Sequence, residues 1–360
     1  MQQYFTIGVM SGSSLDGLDI AYCSFTFTNN KWTFEILNAE CKSFKDDIAE
    51  RLQHATKLSA YDFVKLDIDL GHYIGREVRD FIAHYNIQKL DFIASHGHTV
   101  FHYPESKFTA QIGDGSAIAA LTGFPVINQF RSLDVALGGQ GAPVVPIGEK
   151  YLFENFAAFL NLGGIANIAI HKEDTLIAFD VCAANQVLNC LAQSIGEEYD
   201  KNGDIARSGK VNHELLHQLN DLKYFEILAP KSLDNSFTKD HIIPILNSST
   251  ISIADKLATA TEHTAIQIHN ALSKFSFNDN TLMITGGGAF NTFLVERIKT
   301  HSTLNTFIPP PTIVNFKEAL IIAFMGVLRW EKKINVLKSV TGASQSSVNG
   351  AIYYHNKSHE

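Results

Sequence analysis

The period of apolar and polar residues changes along this chain often enough to lay out its elements. Residues 4–9 and 19–27 are rich in β-branched and aromatic side chains and predict two strands. The stretch Ser11-Gly12-Ser13-Ser14-Leu15-Asp16-Gly17 between them has the composition of a turn. Residues 32–37 alternate apolar with polar positions and predict a third strand, after which helical spacing covers 45–58 and 61–85. Residues 90–95 and 125–128 predict short buried strands. They are followed by His96-Gly97-His98-Thr99 and Phe130-Arg131-Ser132, where side chains can emerge at the carboxyl end of a sheet.

The densest flexible stretch, Gly138-Gly139-Gln140-Gly141-Ala142-Pro143, predicts a crossover into a second module. Beyond it, residues 157–162, Gly163-Gly164 and 165–170 again spell strand, glycine turn, strand, and 175–179 adds a strand ending at Asp180. A third glycine turn, Gly286-Gly287-Gly288, follows the strand 282–285 and precedes a helix beginning near Asn291. A glycine-tipped hairpin at the head of each half predicts a duplicated α/β architecture. The longest helical apolar run, 319–328, is about half of the ~20 residues a membrane span needs, and predicts a buried helix.

Composition narrows the function classes. The 360 residues carry 29 Lys plus Arg against 37 Asp plus Glu, a formal charge of −8. At about 150 residues per domain this length predicts two domains. The acidic balance provides no broad attraction for phosphate backbones or anionic lipid, so neither nucleic acid nor membrane is an expected partner. Residues 1–10 lack a basic start and a long apolar stretch and read as a strand, so no export is expected. Cys23, Cys41, Cys182 and Cys190 form no CxxC pair and are too few to staple the chain, which fits reduced thiols in a cytoplasm.

Glycine tips suit phosphate, because without a Cβ the backbone N–H groups approach an anion closely. Familiar phosphate motifs fit poorly. The 12–17 loop has Leu18 where a P-loop lysine would stand and leads into a strand. Gly286-Gly287-Gly288 lacks the GxGxxG order, and the Ser-rich first loop is no GxSxG elbow. His96, His98 and His102 have zinc-like spacing but no fourth ligand cluster.

The motifs taken together are recognisable. Ile7-Gly8-Val9-Met10-Ser11-Gly12-Ser13-Ser14-Leu15-Asp16-Gly17, Ser95-His96-Gly97-His98-Thr99-Val100-Phe101-His102, Gln111-Ile112-Gly113-Asp114-Gly115 and Phe130-Arg131-Ser132 come first. Gly138-Gly139-Gln140-Gly141-Ala142-Pro143, Leu160-Asn161-Leu162-Gly163-Gly164-Ile165-Ala166-Asn167-Ile168 and Ile284-Thr285-Gly286-Gly287-Gly288-Ala289 follow in register. In this order the chain resembles the anhydro-N-acetylmuramic acid kinases, from the first strand to Val340-Thr341-Gly342-Ala343.

The resemblance implies a duplicated actin-like (ribonuclease H-like) α/β fold with an ATP cleft. Its domains would be 1–135 plus about 335–360, and 136–334. The implied reaction opens the 1,6-anhydro ring of a small-molecule anhydro-amino sugar with water and phosphorylates O6, a step of cell-wall recycling. ATP and Mg²⁺ are the implied cofactors, and a homodimer is compatible with it. The nucleotide would lie against Gly12, Ser13, Ser14, Leu15, Asp16, Gly17, Leu18, Asp19, Gly163, Gly164, Asn167, Gly286, Gly287 and Gly288. The sugar would meet Thr99, Arg131, Asn185 and Glu318, with Arg131 on its lactyl carboxylate. Such a reaction needs a general base, and Asp180, at a strand end, matches the family's catalytic aspartate; a strand-end aspartate can also cap the next helix. Asp16, Asp19 and Asp114 are alternative routes to Mg²⁺ through water, and the sequence does not choose among them. The family carries glutamine where His98 stands.

Departures from the family's pattern cluster at the expected base. Phe179-Asp180-Val181-Cys182-Ala183-Ala184-Asn185 keeps Asp and Asn of an FD-x-GPGN motif without its glycines and proline. Asn189 replaces a usual aspartate, and Pro230-Lys231-Ser232-Leu233-Asp234-Asn235 resembles PKSTGRE without its arginine. These changes predict altered loop geometry and keep two alternatives open: an impaired ATP- or sugar-binding protein, and a kinase of another carbohydrate.

Overall fold

Strands at the start of the chain show how sequence alternation becomes a sheet. β1 (Gln2–Ser11) and β2 (Leu18–Thr28) are buried over most of their length, whereas β3 (Lys31–Lys42) alternates exposed and covered residues. That contrast is expected of two inner strands and one edge strand. The computed structural model describes the chain except residues 13, 14, 16, 45, 46, 173, 174, 230, 235, 278 and 355–360, and except the side chains of 171, 172, 175 and 176. Its two compact units are Met1–Glu154 with Phe316–Glu360, and Asn155–Asn315.

In the first unit β1, β2 and β3 form an antiparallel meander, and β1 pairs in parallel with β4 (Phe92–Ser95), which pairs in parallel with β7 (Val126–Asn128). A last strand, β13 (Ala351–Tyr353), closes the sheet antiparallel to β7, and β5 (His98–Tyr103) and β6 (Phe108–Ile112) form a separate hairpin. The second unit repeats the plan. β8 (Ala158–Leu162), β9 (Ile165–Lys172) and β10 (Thr175–Ala183) are an antiparallel meander, and β11 (Thr281–Thr285) and β12 (Asn305–Phe307) continue in parallel from β8. Counted within each of the two large sheets, the common strand order is third, second, first, fourth, fifth. This is the duplicated ribonuclease H-like topology of the actin-like fold.

The helix expected over 61–85 runs Ala60–His84, capped by Ser59, whose Oγ accepts the Asp62 N–H at 3.1 Å. The one expected over 45–58 is shorter, Ile48–Gln53 followed by a 3₁₀ turn at Ala55–Lys57.

The glycine-rich stretch 138–143 lies inside the first unit, as do the expected divisions at 135 and 334. Buried polar ties hold it there. The fully buried Asp134 carboxylate accepts from the Gly141 N–H at 2.8 Å and from Thr341 Oγ1 at 2.7 Å, while the Gln140 N–H donates to the Thr341 carbonyl at 2.7 Å. Next comes the helix Pro146–Leu152, whose Glu149 forms a buried ion pair with Lys317 at 2.8 Å. Phe153 then packs edge-on against Phe34 of β3, with ring centroids 5.1 Å apart. The chain leaves the first unit only after Glu154 and returns at Phe316.

The helix Pro311–Trp330 is long and apolar enough to cross a bilayer, yet residues 319–328 are buried throughout, as a core helix is. Its approach to the sheet is tight. A Cβ on Gly8 of β1 would lie 1.9 Å from the Ala319 carbonyl oxygen, and one on Gly326 would lie 2.8 Å from Ala94 Cβ of β4. Gly8→Ala must therefore push backbone from backbone. We expect a loss of roughly 1–3 kcal/mol in chemical denaturation, the usual range for overpacking. Gly287→Ala, whose Cβ would meet only one atom at 3.9 Å, is the neutral control.

Candidate functional site

The glycine turns of the second unit meet. Ala184, Asn185 and Gln186 donate their N–H groups to the carbonyls of Gly164 (2.8 Å), Gly163 (3.2 Å) and Gly164 (3.1 Å). The hairpin tip thereby satisfies the start of the helix Asn185–Gln193, which has no side-chain cap. Asn185 Nδ2 donates to the Leu162 carbonyl at 3.0 Å. Gly286, at φ +81°, packs so closely that its Cβ would fall 2.6 Å from Asn161 Oδ1, and a Cβ on Gly288 would fall 2.7 Å from Leu162 Cβ. Gly287 differs: a Cβ there would meet only Asn185 Nδ2, at 3.9 Å, so this glycine faces open space. The expected residues Gly163, Gly164, Gly286, Gly287 and Gly288 thus come together. Asn185, expected on the sugar side, stands among them.

A polar row crosses the same sheet. Thr285 on β11 pairs with Asn161 on β8, Asn161 with Asn167 on β9, and Asn167 with Asp180 on β10. Paired positions on adjacent strands share a face, so these four side chains form one line. Thr285 Oγ1 is buried and has no hydrogen-bond partner among the described residues. Asn167 is among the expected residues; Asn161 and Thr285 are not. The signal that marks both is a polar residue at the end of a strand, beside a glycine turn.

Asp180 is held by the segment that follows residue 230. Its N–H donates to the Lys231 carbonyl at 3.0 Å, and its Oδ2 accepts the Leu233 N–H at 2.9 Å and the Ser232 hydroxyl at 3.2 Å. Oδ1 accepts no hydrogen bond from the described residues. Burial raises the Asp180 carboxyl above the ordinary aspartate range, against the lowering effect of the Leu233 and Ser232 bonds. Asp180 does not cap the next helix, whose N-cap position is Ala184.

The altered residues after Asp180 belong to strand and core. A bulge separates Asp180 from Cys182, and Cys182 and Ala183 then pair with Ala166 and Ile165 of β9. Cys182, Ala183 and Ala184 are buried in the core of the unit, and burial pushes the Cys182 thiol up to about 12. Their side chains enter the core and leave Asp180 in its clasp.

In the first unit the centre is Arg131. Its Nε donates to His96 Nε2 at 2.9 Å. Burial pulls the Arg131 guanidinium down to about 10, opposed by the charge of Glu318. The Glu318 carboxylate is reached by solvent, yet the protein withholds enough of its hydration to raise its pKa. Lys317 and Arg131 counter that rise and Asp19 adds to it. Arg131, Glu318 and Asp19 are therefore one electrostatic group. Thr99 stands on the neighbouring hairpin, its Oγ1 accepting from Gln111 Nε2 at 3.4 Å.

Other expected residues are engaged with the protein itself. Leu18 lies fully in the apolar core, and Leu15, half-buried, packs against it. Gly12 closes a turn by accepting the Leu15 N–H at 3.3 Å, and a Cβ on Gly17 would sit 2.4 Å from the Lys42 carbonyl oxygen. Ser13, Ser14 and Asp16 lie outside the described residues. Asp114 caps the helix Gly115–Thr122, with Oδ1 accepting the Ala117 N–H at 2.7 Å. Among the described residues no group of three or more His, Cys, Asp or Glu is arranged to hold a metal. The three histidines engage separate partners: His96 meets Arg131, His98 Nδ1 meets Ser11 Oγ at 3.0 Å, and His102 Nδ1 meets Thr109 Oγ1 at 3.0 Å.

Comparison with known proteins agrees over almost the full length. The family model described as anhydro-N-acetylmuramic acid kinase matches residues 3–355. A protein of that name from Sulfurovum sp. (strain NBC37-1) is 35% identical, covering 96% of this chain and 98% of its own. Those from Aliivibrio fischeri (strain ATCC 700601 / ES114) and Coxiella burnetii (strain Dugway 5J108-111) are 35% and 34% identical. They cover 98% of this chain and 99% and 98% of theirs. Among solved structures, the activator of the 2-hydroxyisocaproyl-CoA dehydratase from Clostridium difficile with bound ADPNP is similar at TM-score 0.46 and 14% identity, over 91% of this chain and 97% of that one.

Two expectations follow from this geometry. A base works ionised, so activity is present above its pKa and lost as pH falls through it. If Asp180 is that base, its burial places the acidic limb of kcat/KM above the ordinary aspartate value of about 3.9. Ser232→Ala removes a bond that favours the ionised form and should move the limb further up; a pH–rate profile of both proteins checks this. Separately, Gly287→Val should weaken ATP binding in calorimetry at unchanged thermal stability, because the added side chain meets open space rather than protein.

Proposed function

Because the chain belongs to the anhydro-N-acetylmuramic acid kinase family, we propose that it uses ATP to phosphorylate O6 of 1,6-anhydro-N-acetylmuramic acid while water opens the anhydro bridge. The product would be N-acetylmuramic acid 6-phosphate, formed in recycling of cell-wall sugar. The observation that carries the reading is the Asp180 carboxylate: Oδ2 is fixed by Leu233 and Ser232, while Oδ1 is left without a partner among the described residues. A base needs both features, a fixed direction and a free lone pair.

The residues fit the nucleotide. Gly287 faces open space where a side chain would intrude, and the buried Thr285 Oγ1 lacks a partner among the described residues. Gly163, Gly164, Gly286, Gly287 and Gly288 would hold ATP, with Asn161, Asn167 and Thr285 along the row that ends at Asp180. Bound ATP would supply the phosphoryl group and accompanying Mg²⁺ would offset its charge; Asp19 and Asp114 are the described carboxylates among the expected metal contacts. Arg131 would bind the lactyl carboxylate and Glu318 and Thr99 would orient hydroxyl groups of the sugar. Asp180 accepts a proton from water as its oxygen joins C1. The C1–O6 bond breaks, and O6 is the oxygen that becomes phosphorylated.

Cys182, Ala183 and Ala184 do not support the reading as an impaired binding protein, because they are core residues beside an intact clasp. The thiols of Cys23, Cys182 and Cys190 suit a reducing compartment, and we place the reaction in the cytoplasm.

Asp180→Asn keeps the shape and removes the proton acceptor. Turnover should fall by about 10²- to 10⁴-fold with acceptor binding little changed. Oxygen-18 from labelled water should appear in the C1 hydroxyl of the product by mass spectrometry. Near-normal turnover would discard Asp180 as the base, and an unlabelled C1 would discard the reaction.

A further inference from the structure

His96 is a buried titratable side chain that the proposed chemistry does not use. It follows β4, and its backbone N–H donates to the Val9 carbonyl of β1 at 3.0 Å. Its ring is 3% exposed, with Nδ1 3.1 Å from the Gly97 carbonyl oxygen and Nε2 2.9 Å from Arg131 Nε. A guanidinium nitrogen only donates, so Nε2 must be the acceptor and the single ring proton sits on Nδ1, facing Gly97. The turn that allows this needs glycine: Gly97 has φ +71°, and a Cβ there would lie 2.2 Å from the Ile112 carbonyl oxygen. Burial, then the charge of Arg131, brings the imidazole down to about 3, so it stays a neutral acceptor at working pH.

With Nε engaged, Nη1 and Nη2 of Arg131 have no hydrogen bond among the described residues. That pair is the edge of a guanidinium which matches a carboxylate in two parallel bonds. We propose that His96 is a positioning residue for acceptor recognition. By taking the Arg131 Nε–H it fixes the guanidinium plane and presents the Nη1/Nη2 edge to the carboxylate of a carboxylate-bearing sugar. This rests on the reading of Arg131 as the acceptor's carboxylate partner.

The test compares the natural carboxylate acceptor with its carboxamide in steady-state kinetics. His96→Ala should raise KM for the carboxylate about tenfold, as loss of a charged hydrogen-bond geometry does, and leave the carboxamide's KM unchanged. In both cases kcat should stay within about twofold, because no transition-state contact is removed. His96→Gln, whose Oε1 can take the same N–H, should recover most of the loss. In an Arg131→Ala background His96→Ala should add nothing further. An equal rise for both acceptors, a fall in kcat at constant KM, or multiplying effects in the double variant would overturn the proposal. Unchanged KM in Arg131→Ala would overturn the reading of Arg131 and this proposal together; a raised KM there with an unchanged one in His96→Ala would overturn this proposal alone. If His96→Ala does not fold, nitrogen-15 NMR of the unaltered protein decides. A through-bond coupling between Arg131 Nε–H and His96 Nε2 is expected, and its absence overturns the pair.

Discussion

At Gly8 the backbone of β1 comes so close to residues 316–330 of the long helix that a Cβ would stand 1.9 Å from the Ala319 carbonyl oxygen. Close packing of this kind sets distances more firmly than any polar contact, because neither backbone can yield. Its consequences reach the two residues that precede Ala319. Lys317 is brought to Glu149 in a buried ion pair, and Glu318 into the field of Arg131 and Asp19. The chain's return into the first unit is therefore fixed by one missing methyl group, and with it the charge environment of the residue proposed to bind the acceptor.

Glycine has another use in the second unit. Gly163 and Gly164 turn their carbonyls toward the start of the helix Asn185–Gln193 and satisfy its orphan amides. A helix N-terminus filled in this way is not free to receive an anion. What remains open is Gly287, flanked by two glycines whose missing side chains are needed for packing against Asn161 and Leu162. The turn is thus a rigid frame around one accessible backbone position, which is what close approach to a phosphate or a base requires.

Electrostatics follow from burial in both units. Asp180 and Glu318 are shifted up, and His96 and Arg131 down, in every case with desolvation as the leading cause. Leu233 and Ser232 moderate the shift of Asp180 and Glu318 that of Arg131, whereas Arg131 deepens the shift of His96. A carboxylate raised in this way is a stronger base but contributes less to folded stability at neutral pH, the usual tension at a site that does chemistry.

Much of this was legible in residue order alone. Alternation and glycine turns marked the strand–turn–strand heads of both halves, and the apolar run 319–328 marked a buried helix, because local periodicity and turn chemistry depend on neighbours in the chain. The seven motifs carried the family, and Arg131 and the three glycine tips were among them, while Asp180 was read from the altered segment 179–185. Tertiary structure alone assigned partners. Asp114 and Asp180 both read as acids at a strand end, yet Asp114 follows β6 and caps a helix, whereas β10 runs on to Ala183 and Asp180, inside it, is held by Leu233, 53 positions away, with one oxygen left free of described partners. Leu15 and Leu18 stand in a motif but face the core. The 138–143 stretch has the composition of a linker, but Asp134 ties it to Thr341, 207 positions away, which moved the unit boundary past Glu154. His96 offered a metal-like spacing and became an acceptor for Arg131. A sequence states which donors and acceptors exist; which of them meet in a dry interior depends on the approach of distant backbone segments, and no local pattern encodes that distance.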